Sequence, residues 1–183
     1  MRVFIIPSFV LFILMRMYDW GISKPTIALG FGFGVDGQSY LFPLLAVVCA
    51  VVVGQLHWFR KRISDLSGIF VVGVLVSLGF IASYFPLGYY GVGVMLMLEA
   101  AGRLSYAWIP ALVNERIGSS YRATTLSTLE FIGRVPYIFL SYLAGMAVDH
   151  KTIGQFHATL GTIGLVLLVG WYLFSRKQRK SYV

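Results

Sequence analysis

Residues 66–98 read LSGIFVVGVLVSLGFIASYFPLGYYGVGVMLML and contain no charged side chain. A transmembrane helix needs about 20 apolar residues to cross roughly 30 Å of hydrocarbon, so this stretch and its apolar continuation to Val113 are too long for one crossing. The chain is expected to turn within YFPLG at residues 84–88, because Pro86 and Gly88 interrupt a helix. The stretch therefore predicts two membrane-spanning helices joined by a short turn.

Four further apolar segments flank this pair. The six predicted spans cover about residues 3–29, 39–59, 66–85, 88–113, 124–148 and 153–174. The composition agrees, because 58% of the residues are hydrophobic and only 12% are charged, whereas about 25% of the residues of soluble domains are charged. We therefore predict an all-α polytopic membrane protein in which residues 1–183 form a single bundle of six transmembrane helices.

The basic residues are divided unevenly between the two sides that these spans define. One side carries ten of them: Arg2, Arg60, Lys61, Arg62, Arg116, Arg122, Arg176, Lys177, Arg179 and Lys180. The other side carries Lys24 and Lys151. Cytoplasmic loops are rich in Lys and Arg, so both termini are expected in the cytoplasm and the chain in the plasma (inner) membrane. The formal charge of +8 is thereby explained by residues that flank membrane spans, and no nucleic-acid partner is expected.

Signals for catalysis or for a bound metal are weak. The single cysteine, Cys49, excludes an internal disulfide and a cysteine metal cage. The three histidines, His57, His150 and His157, are too scattered to suggest a metal site, and the motifs HExxH and GxSxG do not occur. We therefore expect no enzymatic activity, no cofactor and no metal.

Three of the predicted spans carry an arginine and a carboxylate one helical turn apart. The pairs are Arg16 with Asp19, Glu99 with Arg103, and Glu130 with Arg134. Ionisable groups at this depth cost at least about 2.5 kcal/mol each and commonly mark ion or substrate paths. The alternative is that each pair only neutralises itself along its own helix. Three such pairs in six helices favour a functional polar centre.

The fourth and fifth spans share the pattern ExxGRxxY. Its residues are Glu99, Arg103 and Tyr106 in the fourth span, and Glu130, Arg134 and Tyr137 in the fifth. This spacing places the three side chains on one face of each helix. If the two helices run antiparallel from a short turn, the heights of these residues match crosswise to within about 3 Å. We therefore expect a crossed clasp, in which each glutamate pairs with the arginine of the other helix; the competing arrangement has the two faces pointing apart.

The loop after the fourth span and the helix that follows resemble a known family. The loop reads NERIGSSYRATTLS from Asn114 to Ser127, and the next span ends in LAGMAVD at Asp149. Over residues 106–149 the chain is similar to major facilitator superfamily transporters, in the loop between their tenth and eleventh helices and in helix eleven. Elsewhere the resemblance is one of topology, and Trp58 stands where the family's gating loop has an aspartate. The resemblance implies that the six spans correspond to helices seven to twelve of a twelve-helix transporter.

This resemblance also implies a function. It is secondary active transport of a small polar or amphipathic solute by alternating access, with this chain supplying the C-terminal half. In the family the seventh and tenth helices line the central cavity and the eleventh flanks it. The residues thereby assigned to the solute path or to coupling are Arg16, Asp19, Trp20, Glu99, Arg103, Tyr106, Glu130, Arg134 and Tyr137.

Six helices supply only one wall of such a cavity. The expected partners are therefore the lipid bilayer, the solute, protons as a candidate coupling ion on Glu99 or Glu130, and a second bundle. That bundle is either a missing N-terminal six-helix half or a second copy of this chain. The alternative function is a non-transporting membrane scaffold or channel subunit, whose charge pairs serve assembly. The residues leave open the identity of the solute, the coupling ion and the direction of transport.

Overall fold

Eight α-helices account for nearly all of the residues that the structure describes. The computed structural model describes residues 2–19 and 21–180. The helices are α1 (Arg2–Asp19), α2 (Ser23–Gly30), α3 (Val35–Gly54), α4 (Leu56–Arg62), α5 (Asp65–Ala82), α6 (Gly91–Arg116), α7 (Ser119–Asp149) and α8 (Ile153–Lys180). The fold is 89% helical, and the described part of the chain contains no β-strand. The predicted all-α architecture is therefore confirmed.

Five of these helices, α3 and α5 to α8, are long and apolar enough to cross a membrane. Helices α1 and α2 meet the same criteria only as a pair, which is bent by 66° across a short break and is either a broken span or a re-entrant loop. The protein is therefore an integral membrane protein of the helical class. The bend was not predicted, because Pro7, Gly21 and Pro25 all offered breaks in the first span and sequence alone did not choose among them.

The predicted turn between the third and fourth spans is confirmed. Helix α5 ends at Ala82, and a single 3₁₀ turn, Gly88–Tyr90, precedes α6. Gly88 has a φ of +57°, in the left-handed region that glycine adopts without steric penalty. The helix that corresponds to the second predicted span, α3, begins and ends earlier than predicted, since it covers Val35–Gly54 and the basic run at residues 60–62 belongs to the separate helix α4.

Helix α5 lies at the centre of the bundle and packs against α8, α6 and α1. Close approach depends on small residues, as is usual between membrane helices. A Cβ atom at Gly79 would lie 2.6 Å from Leu98 of α6, and a Cβ atom at Gly161 of α8 would lie 2.5 Å from the backbone oxygen of Ser77. The core between these helices includes Phe80, which is fully buried.

Helices α3 and α7 form the outer surface of the bundle. Exposed apolar side chains on α3 include Tyr40, Leu44, Val47 and Val51, and those on α7 include Phe131, Ile138, Phe139 and Tyr142. The patches that these side chains form suit contact with lipid tails, because the patches are largely apolar and a helix satisfies its own backbone polar groups.

Arg60 of α4 joins α5 and α6 at one end of the bundle. Its Nη1 and Nη2 atoms each donate to Glu115 across 2.6 Å, and its Nε donates to Asp65 Oδ1 across 3.0 Å. Trp108 Nε1 donates to the same Asp65 oxygen across 2.8 Å. The hydrogen bonds to Glu115 and then to Asp65 raise the pKa of Arg60 above its usual value. The α4–α5 and α6–α7 connections therefore lie at the same end of the molecule.

Candidate functional site

The break between α1 and α2 brings a lysine into the bundle. Gly21 lies within it, and a Cβ atom there would be 2.7 Å from the backbone oxygen of Met17, so the close approach requires glycine. Beyond the break, α2 packs against α3, α6 and α8, and Ser23 is completely buried. Interrupted helices are tolerated at membrane depth where the irregular backbone is enclosed by protein or lines a cavity. This geometry directs Lys24 toward α6.

Lys24 and Arg103 together neutralise Glu99. Lys24 Nζ donates to Glu99 Oε2 across 2.6 Å. Arg103 donates to Glu99 Oε1 from Nε across 3.1 Å and from Nη2 across 2.9 Å. The Glu99 side chain has no exposed surface, and the Lys24 ammonium also lies 4.9 Å from the centre of the Phe42 ring. A buried carboxylate is thus satisfied at both oxygens, as burial requires.

Lys24 was not predicted as a site residue. It was counted among the basic residues of the exterior side of the membrane, although residue 24 falls inside the predicted first span. The signal that could have identified it is a lone cation between Gly21 and Pro25 at the end of an apolar run. With Lys24 assigned to the interior, Lys151 is the remaining basic residue of that side, so the asymmetry of basic residues becomes larger.

A second cluster joins α1 to α7. Arg16 is 3% exposed, and its Nη2 lies 3.6 Å from Glu130 Oε2. Arg134 Nη2 donates to the same Glu130 oxygen across 3.3 Å. Asp19, one turn from Arg16 in α1, forms no ion pair with a described residue. The buried arginine of the first span is therefore neutralised by a different helix.

The expected crossed clasp is wrong. Each glutamate pairs with the arginine four residues later in its own helix, and neither crossed pair is among the ion pairs of the described residues. The reason lies in the packing: α6 packs mainly against α5 and α3, and α7 mainly against α1, so α6 and α7 contact each other sparsely. The second cation for each glutamate comes from the first span, as Lys24 or Arg16.

Tyr106 connects the two clusters. Its hydroxyl interacts with the Asp19 carboxylate and lies within electrostatic range of Arg16 and Arg103, but the contact with Asp19 does not meet hydrogen-bond geometry. We call the seven ionisable residues around it the charged centre: Arg16, Asp19, Lys24, Glu99, Arg103, Glu130 and Arg134. Tyr137 is partly buried against the apolar core. Trp20, also predicted on the solute path, lies outside the described residues.

The charged centre is partly exposed, halfway along α6 and α7. Arg103 is the thirteenth of the 26 residues of α6, and Arg134 is the sixteenth of the 31 residues of α7. The Arg103 side chain is 48% exposed, and those of Glu130 and Arg134 are 52% exposed. Charged side chains at mid-membrane depth are too costly to leave against lipid and face a polar interior or water. This face therefore requires either an aqueous cavity or a second protein surface.

An apolar cavity of about 440 Å³ lies between α1, α6 and α7, toward the end where α7 begins. Its lining includes Ile5, Ile109, Leu112, Tyr121, Leu129 and Ile132. It approaches the charged centre at Ile109, three residues beyond Tyr106 in α6. Within residues 2–19 and 21–180, no three His, Cys, Asp or Glu side chains are grouped as a metal site requires.

No known protein family profile matches this chain, and no curated protein sequence matches it either. The similarity to major facilitator transporters over residues 106–149 therefore stays a prediction from the sequence.

Proposed function

We propose that this protein supplies one half of a secondary active transporter of the major facilitator type, which moves a small polar or amphipathic solute by alternating access. The observation that carries the proposal is the charged centre. Four of its seven ionisable side chains lie near the middle of α6 and α7, three lie beside the break between α1 and α2, and Arg103, Glu130 and Arg134 are about half exposed. Solute and ion sites of secondary transporters lie near the membrane midplane and are commonly formed by discontinuous helices. A purely structural bundle has no need for half-exposed charges at this depth.

The second wall of the cavity comes from another six-helix bundle. It is either an N-terminal half or a second copy of this chain, and it covers Arg103, Glu130 and Arg134 while leaving an aqueous path to them. We place both termini in the cytoplasm and the protein in the plasma (inner) membrane. The excess of basic residues at one end supports this orientation, and the bridge from Arg60 to Glu115 supports the grouping of two loops at that end.

In the proposed cycle the two bundles rock around the charged centre. The short helix α2 is the mobile element on the exterior side, because the break separates it from α1. The Lys24–Glu99 ion pair holds α2 against α6 in the present arrangement. As the bundles rock, the arginine and lysine side chains of the charged centre exchange carboxylate partners, so that each carboxylate keeps a cation beside it in the inward-facing and the outward-facing state. Protons are the candidate coupling ion.

The test is side-dependent labelling of single cysteines in a Cys49→Ala background. Ser127→Cys and Ser141→Cys lie on either side of the Glu130–Arg134 pair along α7, so they report on opposite ends of the cavity. In proteoliposomes, a membrane-impermeant thiol reagent is expected to label Ser127→Cys from one side and Ser141→Cys from the other. Reversal of an imposed pH gradient is expected to raise one labelling rate and lower the other.

A control and two other outcomes complete the test. Val47→Cys, on the exposed apolar face of α3, is expected to stay unlabelled under both gradients. Labelling rates that do not change when the pH gradient is reversed would indicate a static scaffold. Simultaneous access to both positions from both sides indicates a channel subunit.

A further inference from the structure

The charged centre carries one more positive than negative charge. Its cations are Arg16, Lys24, Arg103 and Arg134, and its carboxylates are Asp19, Glu99 and Glu130. All seven belong to the described residues and lie within the spans. An uncompensated charge at mid-membrane depth is strongly unfavourable, so a site with this excess is completed by one additional negative charge. A cation would increase the imbalance, and a neutral solute or a zwitterion would leave it unchanged.

Arg103 is the cation best placed to accept an anion. Its Nε and Nη2 atoms are engaged by Glu99 Oε1, whereas Nη1 takes part in no hydrogen bond among the residues that the structure describes. The side chain is 48% exposed on the open face. The planar guanidinium matches the geometry of a carboxylate, which it binds through two parallel hydrogen bonds. Glu99 fixes the orientation of this guanidinium and leaves its outer edge available.

Tyr106 offers a second donor one helical turn away. Its hydroxyl is buried, and its contact with the Asp19 carboxylate does not meet hydrogen-bond geometry, so a ligand or water with better geometry would satisfy it. A phenol can donate its proton to a carboxylate oxygen. Asp19 lies beside the same hydroxyl, and its negative charge is already included in the count that leaves the centre positive.

We infer that the solute is a monovalent organic anion whose carboxylate binds Arg103, with the Tyr106 hydroxyl as the second donor. The inference rests on the proposed transport function, since it names the solute class of the same site. Phosphate monoesters share the negative charge, and the experiment below separates them from carboxylates.

The experiment measures chemical protection of single arginines in the full chain in nanodiscs. Phenylglyoxal modifies accessible guanidinium groups, and mass spectrometry reports the adduct at each arginine. Probes are three carboxylates with their neutral amides, namely lactate and lactamide, benzoate and benzamide, and nicotinate and nicotinamide, together with benzylamine and inorganic phosphate. At least one carboxylate is expected to slow modification of Arg103 saturably, and its amide is not. Arg122, an exposed residue outside the charged centre, serves as the internal control.

Binding to variants completes the test. Arg103→Gln is expected to weaken binding of the protecting carboxylate by about tenfold or more, as for loss of one charge-assisted hydrogen bond. Arg103→Lys, which keeps the charge and the contact with Glu99, is expected to weaken it less, and Arg122→Gln is expected to leave it unchanged. If Arg103→Gln fails to fold, Arg103→Lys and Tyr106→Phe still report a weakened carboxylate interaction.

Each remaining outcome overturns the inference. Protection by phosphate alone would mean that the site binds phosphate and not a carboxylate. Protection by amides or benzylamine would mean that the solute is not an anion. Protection by no probe would mean that the charged centre has no anion site. In all three cases gradient-dependent cysteine labelling would leave the transport proposal standing. Conversely, carboxylate protection in a protein with static cysteine labelling would support an anion site and overturn transport.

Discussion

Lys24 and Glu99 are separated by 75 residues in the sequence, yet Lys24 Nζ lies 2.6 Å from Glu99 Oε2. The contact joins the short helix after the break in the first span to the middle of the bundle. Because Glu99 also accepts from Arg103, one buried carboxylate holds two cations from different helices.

Replacing Glu99 is therefore expected to be more damaging than replacing either cation. Glu99→Gln leaves Lys24 and Arg103 without a counter-charge, and removal of one member of a buried pair costs about 3 kcal/mol. Lys24→Met leaves the Glu99–Arg103 pair intact and is expected to cost less. Unfolding of the purified protein by SDS titration measures both. The control is Glu115→Gln, whose exposed side chain is expected to contribute about 1 kcal/mol or less; equal losses for Glu99→Gln and Glu115→Gln would contradict the assignment.

Gly161 and Gly170 give a matched pair of substitutions in α8. A Cβ atom at Gly161 would lie 2.5 Å from the Ser77 backbone oxygen and 2.8 Å from Phe80 Cβ, so Gly161→Ala forces α8 away from α5 and is expected to cost about 1–3 kcal/mol. No atom lies within 4 Å of a Cβ atom at Gly170. Gly170→Ala is therefore expected to be neutral or to stabilise the helix by up to about 1 kcal/mol. Thermal unfolding in detergent measures both variants, and similar midpoints would mean that α5 and α8 are not in close contact.

The sidedness of the loops is testable by labelling single cysteines in intact cells. Arg60 and Glu115 hold the α4–α5 and α6–α7 connections at one end, so Ser64→Cys and Ser119→Cys are expected to react from the same side. His150→Cys, in the connection between α7 and α8, is expected to react from the other. With basic loops on the inside, His150→Cys is labelled by an impermeant reagent and the other two react only after permeabilisation. The reverse pattern would invert the proposed orientation.

The features that depend on local composition, such as the helices and the turn, were predicted correctly from the sequence. The features that depend on how distant helices pack together were not. The uncharged run at residues 66–98 predicted α5, α6 and the turn at Gly88, because apolar length and helix-breaking residues are local properties. The prediction of a crossed clasp was wrong because it used only the heights of the residues along α6 and α7, which follow from residue number. The directions in which the two helix faces point depend on α1, α3 and α5, which pack against them. Lys24 was missed for the same reason, since a bend of 66° brings it to Glu99.

Asp19 is the carboxylate of the charged centre that forms no ion pair with a described residue, and this makes it the expected carrier of a coupled proton. A proton on Glu99 would break its ion pairs with Lys24 and Arg103, whereas a proton on Asp19 breaks no ion pair of the described residues. Carboxylates inside the membrane commonly act as such relays. In proteoliposomes, Asp19→Asn is expected to abolish uphill accumulation of the labelled carboxylate that protects Arg103, measured above the uptake by protein-free liposomes under the same pH gradient, while keeping exchange of that carboxylate at equilibrium. Asp36→Asn, at the exposed start of α3, is the control and is expected to retain both activities. If Asp19→Asn accumulates the solute as well as the unmodified protein does, Asp19 is not the proton carrier. Glu130, the more exposed of the two remaining carboxylates, would then be the next candidate.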